Sequence, residues 1–145
     1  MSWFRTTLCV LVLLAPLVAQ SSAKALDLQL DQRLKRPESQ STLGSIQVYQ
    51  EFEGLFDKEL NRAYSTLMKE LQEPTKAAFQ KAQKAWLVFR DSQFEAFRAI
   101  YDRREFGTGQ GQIIAMNRMN LVRQRALELS SYTNGLWGPE NDSPK

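Results

Sequence analysis

The chain has 145 residues, a formal net charge of +3, one cysteine and no histidine. Its length suits one domain with a single apolar core. The mild charge argues against a nucleic-acid partner, and the cysteine and histidine content excludes a disulfide framework, Cys/His zinc sites and a histidine-dependent catalytic triad.

The first residues have the three parts of a cleavable export signal. Arg5 precedes an apolar run from Leu8 to Val18, and small and polar residues follow that run. The run is about half of the roughly 20 residues that a membrane-spanning helix requires. We therefore expect a signal peptide over residues 1–23, with cleavage after Ala25 as the alternative. The mature protein is then periplasmic or secreted, with no stable membrane anchor.

Cleavage would change the composition of the mature chain. The only cysteine, Cys9, lies in the apolar run, so the mature chain would contain neither cysteine nor histidine. Loss of Arg5 from the 19 basic residues would leave 18 of them against 16 acidic ones. Such a chain has no thiol or imidazole chemistry available to it.

A flexible leader and a first helix are predicted next. Residues 24–44 are polar and have no sustained apolar period, which is typical of a flexible segment. Ser45 is a suitable N-cap for a helix that extends to about Gln72. The apolar residues of this helix are spaced three or four apart, as one face of a helix requires. They are Tyr49, Phe52, Phe56, Leu60, Ala63 and Leu67.

Two further helices complete the expected domain. Pro74 interrupts the first helix and suits the first turn of a second one, which extends to about Arg104. Its expected apolar face consists of Phe79, Ala82, Trp86, Phe89, Phe97 and Ile100. A third helix is predicted from about Gln112 to Ser131. The apolar residues assigned to it are Ile113, Met116, Leu121, Leu127 and Leu129. The chain has no strand-like alternation, so we expect an all-α, three-helix up-down-up bundle over residues 45–136, with a loose tail at 137–145.

The segment Gly107–Gly111 has the pattern G-x-G-x-G between the second and third helices. No strand precedes it and no G-K-[ST] follows it, which argues against a phosphate-binding loop. A turn between helices is the simpler interpretation. Thr108 and Gln110 are the polar side chains that this loop would present.

Polar residues interrupt the apolar faces of the first two helices. Gln83, Trp86 and Arg90 fall on one face of the second helix, and Asn61 lies one helical step from Tyr64 on the first. If both faces point inward, the polar side chains form a buried network in which Arg90 requires an acidic partner. The candidate carboxylates are Asp57, Asp91 and Glu128.

Two interpretations of this network remain open. It either fixes the register of the helices or forms a pocket for a ligand, for example an anion held by Arg90 and Arg123. Carboxylates are abundant, but no spacing selects a pair for glycoside hydrolysis. We therefore assign no catalytic residue, no metal ligand and no cofactor. The aromatic residues of the second helix are interpreted as core, with some of them available for a partner-binding patch.

Two motifs in this order resemble the LprI-like family, which is named after a lysozyme inhibitor and has long been described as a domain of unknown function. The first is L-N-x-x-Y within residues 57–64, and the second is A-Q-x-x-W-x-x-F-R-D over residues 82–91. The glycine-rich turn and Met119-Asn120, followed by Arg123 and Leu127, extend the resemblance over most of the domain. It implies an exported, mostly helical protein of the bacterial envelope that is not an enzyme.

The chain departs from the family pattern in two ways. Relatives commonly carry cysteines at positions where this chain has Phe94 and either Ala115 or Met116, so packing must replace a disulfide that stabilises by roughly 2 to 4 kcal/mol. In addition, c-type lysozymes are strongly basic, so charge complementarity would favour an acidic inhibitor, whereas this domain is slightly basic. The obvious candidate for a loop that inserts into the catalytic cleft of lysozyme is residues 106–111, and this segment has no charged side chain.

The leading hypothesis is a non-enzymatic envelope protein that binds another macromolecule, with lysozyme inhibition as the specific prediction. An alternative is a periplasmic protein that binds a small ligand through Asn61, Tyr64, Gln83 and Arg90. A third possibility is an enzyme that acts on cell-wall glycans. The partner is expected to be lysozyme or another envelope protein.

Overall fold

The computed structural model describes residues 22–137. The expected signal peptide lies outside the described residues except for its last two positions, and the tail lies outside them after Trp137. Within the described range the chain contains helices, turns and short connections but no strand. The prediction of an all-α protein is confirmed.

Four long helices make up the domain. They are α1 (Ser22–Leu34), α2 (Thr42–Glu70), α3 (Thr75–Ile100) and α5 (Gln110–Trp137). A 3₁₀ turn, Pro37–Ser39, connects α1 to α2. A single helical turn, α4 (Arg103–Phe106), and a 3₁₀ turn, Gly107–Gly109, connect α3 to α5.

Helices α2 and α5 lie side by side and form most of the core. They run in the same direction, because Glu53 of α2 contacts Arg118 of α5 and Glu59, further along α2, contacts Ser130, further along α5. Their facing apolar side chains are spaced three or four residues apart. The buried set on α2 is Val48, Phe52, Phe56, Leu60, Ala63 and Leu67, and the buried set on α5 is Ala115, Met119, Val122, Ala126 and Leu129. The predicted face of α2 is therefore confirmed at five of its six positions.

The predicted face of α5 is wrong except at Leu129. This helix carries apolar residues around most of its circumference, so its sequence contains several candidate stripes of similar strength. The small residues Ala115 and Ala126 lie on the true face. They allow α5 to approach the larger side chains of α2, and their small size gives them little weight in an apolar pattern.

The predicted flexible leader is wrong, and the bundle has four helices rather than three. Residues 24–34 belong to α1, which packs on α2 and α5. Leu30 is buried, and Leu26 and Leu34 pack against the same core. These leucines follow one another at intervals of four, which places them on one helical face. Only three apolar positions define this face, and three repeats among polar neighbours are too few to predict a helix from the sequence.

The connection between α1 and α2 depends on Gly44. Ser41 is the N-cap of α2, and its Oγ accepts a hydrogen bond of 3.0 Å from the backbone N–H of Gly44. A Cβ at Gly44 would lie 2.0 Å from the carbonyl oxygen of Glu38. Only glycine therefore allows the 3₁₀ turn to pack this closely on α2, and the helix begins three residues before the predicted Ser45.

Helix α3 runs opposite to α5 and is the least buried of the long helices. Its inner face follows Phe79, Gln83, Trp86, Arg90 and Phe94, where polar and aromatic residues alternate along the helix. Among the described residues, no helix is long and apolar enough to cross a membrane.

Three positions of the predicted α3 face, Ala82, Phe89 and Ile100, are exposed, as is Val88.

Candidate functional site

A cleft of about 810 Å³ lies between α2, α3 and the first half of α5. Its walls combine apolar, charged and glycine positions. The lining residues are Ile46, Gln50, Glu53, Gly54, Asp57, Arg90, Asp91, Phe94, Gly111, Ile114, Ala115, Arg118 and Val122. The cleft therefore contains Arg90 and Asp91 from the predicted site, together with Asp57 from the predicted carboxylates.

Arg90 is held at the α3 side of this cleft by two carboxylates. Its Nε and Nη2 lie 2.9 and 2.8 Å from the same oxygen, Oδ1, of Asp91. Its Nη1 lies 3.7 Å from Oδ1 of Asp57 on α2. The guanidinium carbon is also 5.7 Å from the ring centroid of Trp86 and 5.9 Å from that of Phe94, which is cation–π distance. The predicted acidic partner of Arg90 is thus present.

Arg118 forms a second charged pair at the α5 side. It donates two hydrogen bonds to the carboxylate of Glu53, of 3.2 and 2.7 Å, in the bidentate geometry that suits a guanidinium group. Its guanidinium carbon lies 4.1 Å from the ring centroid of Phe94. Phe94 therefore lies beside both arginines of the cleft. Arg118 and Glu53 were not among the predicted site residues, because neither belongs to a motif and they are far apart in sequence.

Gln83 belongs to a different cluster from Arg90. It is buried, and its Oε1 accepts hydrogen bonds of 3.1 and 2.9 Å from Nε and Nη2 of Arg125. The Arg125 guanidinium carbon is 5.7 Å from the ring centroid of Trp86, and Arg90 is at the same distance from that ring, so both arginines contact Trp86. The expected continuous network through Gln83 and Arg90 is therefore wrong, because Arg125 satisfies the amide.

The same cluster continues toward the end of α5. Arg125 contacts Glu128 at 2.8 Å, and the hydroxyl of Tyr132 donates a hydrogen bond of 2.9 Å to that carboxylate. This hydrogen bond, together with the negative charge of Glu128, raises the pKa of Tyr132 above its ordinary value. Glu128, a predicted partner for Arg90, thus binds Arg125 instead.

The two predicted residues of α2 lie apart from the centre of the cleft. Asn61 is exposed, and its side-chain amide donates to the backbone carbonyl of Asp57 at 2.9 Å and to Oδ2 of Asp57 at 3.1 Å. Asn61 therefore reaches the cleft only through Asp57, which it helps to orient. Tyr64 is half-buried and packs against the apolar core.

Arg123 serves to attach α1. Its Nε and Nη2 donate to the two carboxylate oxygens of Asp27 at 2.5 and 2.8 Å. It contributes nothing to the lining of the cleft. Arg90 and Arg123 thus bind different carboxylates, and the expected pair of arginines around one anion does not form.

The glycine-rich connection contributes one backbone position to the cleft. Gly107 has a φ of 56°, in the left-handed region that favours glycine, and begins the 3₁₀ turn. Thr108 is exposed within this turn, and Gln110 is the half-buried first residue of α5. Of this connection only Gly111 lines the cleft, so the two predicted loop residues lie outside it.

Glu59 is a buried carboxylate that joins α2 to α5. It accepts two hydrogen bonds of 2.7 Å from Arg62 and one of 3.1 Å from the hydroxyl of Ser130. The hydrogen bond with Glu59 raises the pKa of Arg62. Glu59 does not line the cleft, and its hydrogen bond with Ser130 holds α2 against α5. These residues were not among the predicted ones, because a charged residue on the apolar face of a helix looks like a surface position.

Chemically, the cleft offers carboxylates, guanidinium groups and an apolar wall. In the part of the chain that the structure describes, no three His, Cys, Asp or Glu side chains come close enough together to hold a metal ion. The cleft carries three carboxylates against two guanidinium groups. Such a surface is suited to binding a polar or charged group through hydrogen bonds and ion pairs.

A comparison with known protein families matches residues 35–129 to the family described as lysozyme inhibitor LprI. The matched segment contains α2 and α3 in full and α5 as far as Leu129, and so includes every residue that lines the cleft. No curated protein and no solved structure was found to match the chain. The matched segment is more than half of the chain, and the chain belongs to the LprI family of lysozyme inhibitors.

Proposed function

We propose that the protein is an exported, non-enzymatic inhibitor of lysozyme, which binds the enzyme in the bacterial envelope. The observation that carries this proposal is the family match over residues 35–129. The pattern of an export signal in the first residues supports it, because a lysozyme inhibitor has to meet its target outside the cytoplasm.

The fold supports a binding role in a second way. Most polar side chains of the predicted site engage other side chains of the bundle, as Gln83 does with Arg125 and Arg123 with Asp27. These pairs hold the helices in place, whereas the cleft leaves a concave surface of mixed character. Preformed concave surfaces on rigid helices are well suited to bind a protrusion of a partner protein.

The test uses the whole 145-residue chain, expressed in a bacterium and purified from the periplasm, with its mature N-terminus determined by mass spectrometry. The protein is mixed with c-type lysozyme, and the lysis of cell walls is followed by turbidity. We expect lysis to slow with increasing protein and to stop at saturation. Undiminished lysis at large molar excess would contradict the proposal.

The order of addition identifies the target of the inhibition. In one arm the protein is incubated with lysozyme first. In the other arm it is incubated with the cell walls, which are then washed before lysozyme is added. Inhibition only in the first arm supports binding to the enzyme. Inhibition that survives washing in the second arm would show that the protein shields the wall instead.

A second candidate function is the binding of a small molecule, and the volume of the cleft favours it. About 810 Å³ falls in the range of pockets that hold small ligands. Native mass spectrometry of the protein taken directly from the periplasm tests this candidate. A mass above that of the polypeptide, lost on unfolding, would support it, and a clean polypeptide mass would count against it.

A further inference from the structure

On the α3 side of the cleft the positive group, Arg90, is covered and its two carboxylate partners face outward, whereas Glu53, the partner of Arg118, is only 19% exposed. The side chains of Arg90 and Arg118 are 23% and 28% exposed, and aromatic rings lie against both guanidinium groups. Asp57 and Asp91, which neutralise Arg90, are more exposed, at 44% and 66%. An incoming group on this side of the cleft therefore meets the carboxylate oxygens of Asp57 and Asp91 before it meets the guanidinium group of Arg90.

One of these carboxylates retains an unused acceptor. Both contacts from Arg90 go to Oδ1 of Asp91, and among the described residues no donor is found for Oδ2. An ionised carboxylate has about four lone-pair positions and accepts several donors at once. Asp91 is thus able to bind a second cation without losing its contact with Arg90.

The shape and the walls of the cleft suit a long side chain with a charged end. Gly54 of α2 lines the cleft without any side chain, and a Cβ added there would meet no atom within 4 Å. Ile46, Ile114 and Phe94 provide apolar surface beside the carboxylates. Lysine and arginine combine an apolar stem with a cationic head, so they match both parts of this surface.

We propose that this cleft is the docking site for a lysine or arginine side chain presented by a basic protein partner, and the identification of that partner as lysozyme rests on the proposed function. The net charge of the whole chain, +3, would oppose a basic partner. The local excess of exposed carboxylate at the cleft provides the complementary charge at short range, where electrostatic complementarity determines register and specificity.

The first experiment removes the charge of the cleft. The double variant Asp57→Asn/Asp91→Asn keeps the shape of both side chains and leaves Arg90 without its carboxylates. Asp31→Asn is the matched control, because Asp31 on α1 is 62% exposed and also pairs with a cation, Lys35, but lies outside the cleft. We expect the dissociation constant for c-type lysozyme to rise about tenfold or more in the double variant, and to stay within about twofold in the control.

The second experiment fills the cleft without removing any charge. Gly54→Leu places a side chain in the open space of the cleft, and leucine is a better helix former than glycine, so the variant is expected to fold. Ser65→Leu, at an exposed position of the same helix outside the cleft, is the control. The expected result is again a loss of about tenfold or more in affinity for Gly54→Leu alone.

A third measurement separates the site from the identity of the partner. N-acetyl-arginine amide is titrated into the isotope-labelled protein up to tens of millimolar, and its neutral isostere N-acetyl-citrulline amide serves as the control. We expect the backbone amide signals of Gly54 and Gly111 to shift with the arginine compound only. The shifts should disappear in Asp57→Asn/Asp91→Asn.

The outcomes distinguish the two proposals. If lysozyme does not bind but the arginine compound shifts the cleft signals, the proposed function fails and the cation site stands. If lysozyme binds and the cleft variants bind it as the wild type does, the docking site is refuted and the proposed function stands. The absence of cleft shifts with the arginine compound also refutes the cation site, whatever lysozyme does.

Discussion

The same substitution, glycine to alanine, should have opposite effects at two positions of α2. Alanine forms helix better than glycine by about 0.8 to 1.0 kcal/mol in a helix interior. At Gly54 a new Cβ meets no atom within 4 Å, so nothing opposes this gain. We expect Gly54→Ala to raise the free energy of unfolding by about 0.5 to 1 kcal/mol.

At Gly44 the gain is outweighed by a clash. A new Cβ would lie 2.0 Å from the backbone oxygen of Glu38 and 3.0 Å from the Oγ of Ser41. The Glu38 oxygen belongs to the 3₁₀ turn that joins α1 to α2, and backbone atoms do not move aside as a flexible side chain does. Forced repacking of this kind costs about 1 to 3 kcal/mol. Because the clash at 2.0 Å is with a backbone atom, we take the upper end of this range, about 3 kcal/mol. After a propensity gain of about 1 kcal/mol is subtracted, we expect Gly44→Ala to lower the free energy of unfolding by about 2 kcal/mol.

Urea unfolding followed by far-ultraviolet circular dichroism measures both variants against the wild type. The midpoints should move in opposite directions, with the slope of the transition unchanged, because neither variant alters the surface exposed on unfolding. If Gly44→Ala were as stable as the wild type, the 3₁₀ turn would not be packed on α2. The docking of α1 through this connection would then be wrong, and the flexible leader predicted from the sequence would be right.

Three further predictions concern the polar clusters. Trp86→Ala should lower the free energy of unfolding by about 2 to 3 kcal/mol, because the ring packs against the core and contacts the guanidinium groups of Arg90 and Arg125. This loss is smaller than for a fully buried tryptophan, because the ring is only half-buried. A loss below about 1 kcal/mol would contradict its packing against the core. Arg62→Ala should lower the free energy of unfolding by about 1.5 to 3 kcal/mol, since it removes two charge-assisted hydrogen bonds from the buried carboxylate of Glu59. An unchanged midpoint of urea unfolding would show that Arg62 does not stabilise this carboxylate. The raised pKa of Tyr132 stabilises the folded protein at pH values below the ordinary pKa of tyrosine, and this contribution is lost as the pH rises through the raised value. In a spectrophotometric titration, Glu128→Gln should bring that pKa back down, and an unchanged titration would contradict the hydrogen bond.

Much of the fold could be predicted from the sequence because α2 has a strong apolar period and α3 has a clear start. Five of the six residues assigned to the α2 face are buried, and Pro74 marks the break before α3 within one residue. The sequence could not indicate α1 in the same way, because its three inward leucines are separated by polar residues. It is the contact of Leu30 with the core and the pair between Arg123 and Asp27 that hold this helix.

The site could be predicted only where its residues are neighbours on one helix. The spacing of Gln83, Trp86 and Arg90 correctly placed them on one face of α3. Their partners come from other helices, and periodicity within one helix carries no information about them. Arg125, which satisfies Gln83, and Arg118, which occupies the other side of the cleft, are therefore visible only in three dimensions.

The resemblance to the LprI-like family implies a disulfide between the positions of Phe94 and either Ala115 or Met116, which this chain cannot form. Of these three residues, Phe94 and Ala115 line the cleft. The α3 and α5 helices are joined here by the contact of the Phe94 ring with the guanidinium group of Arg118, at 4.1 Å. A cation–π contact of this kind stabilises by about 0.5 to 2 kcal/mol, whereas a disulfide stabilises by roughly 2 to 4 kcal/mol.

The most direct test of the central claim is the formation of a complex between the two purified proteins. Isothermal titration calorimetry of the protein taken from the periplasm against c-type lysozyme should give saturable binding at one to one, which weakens as the salt concentration rises because charged groups take part. If no heat of binding and no co-migrating complex were found at either low or physiological salt, the protein would not act on lysozyme, and the account of its function would be wrong.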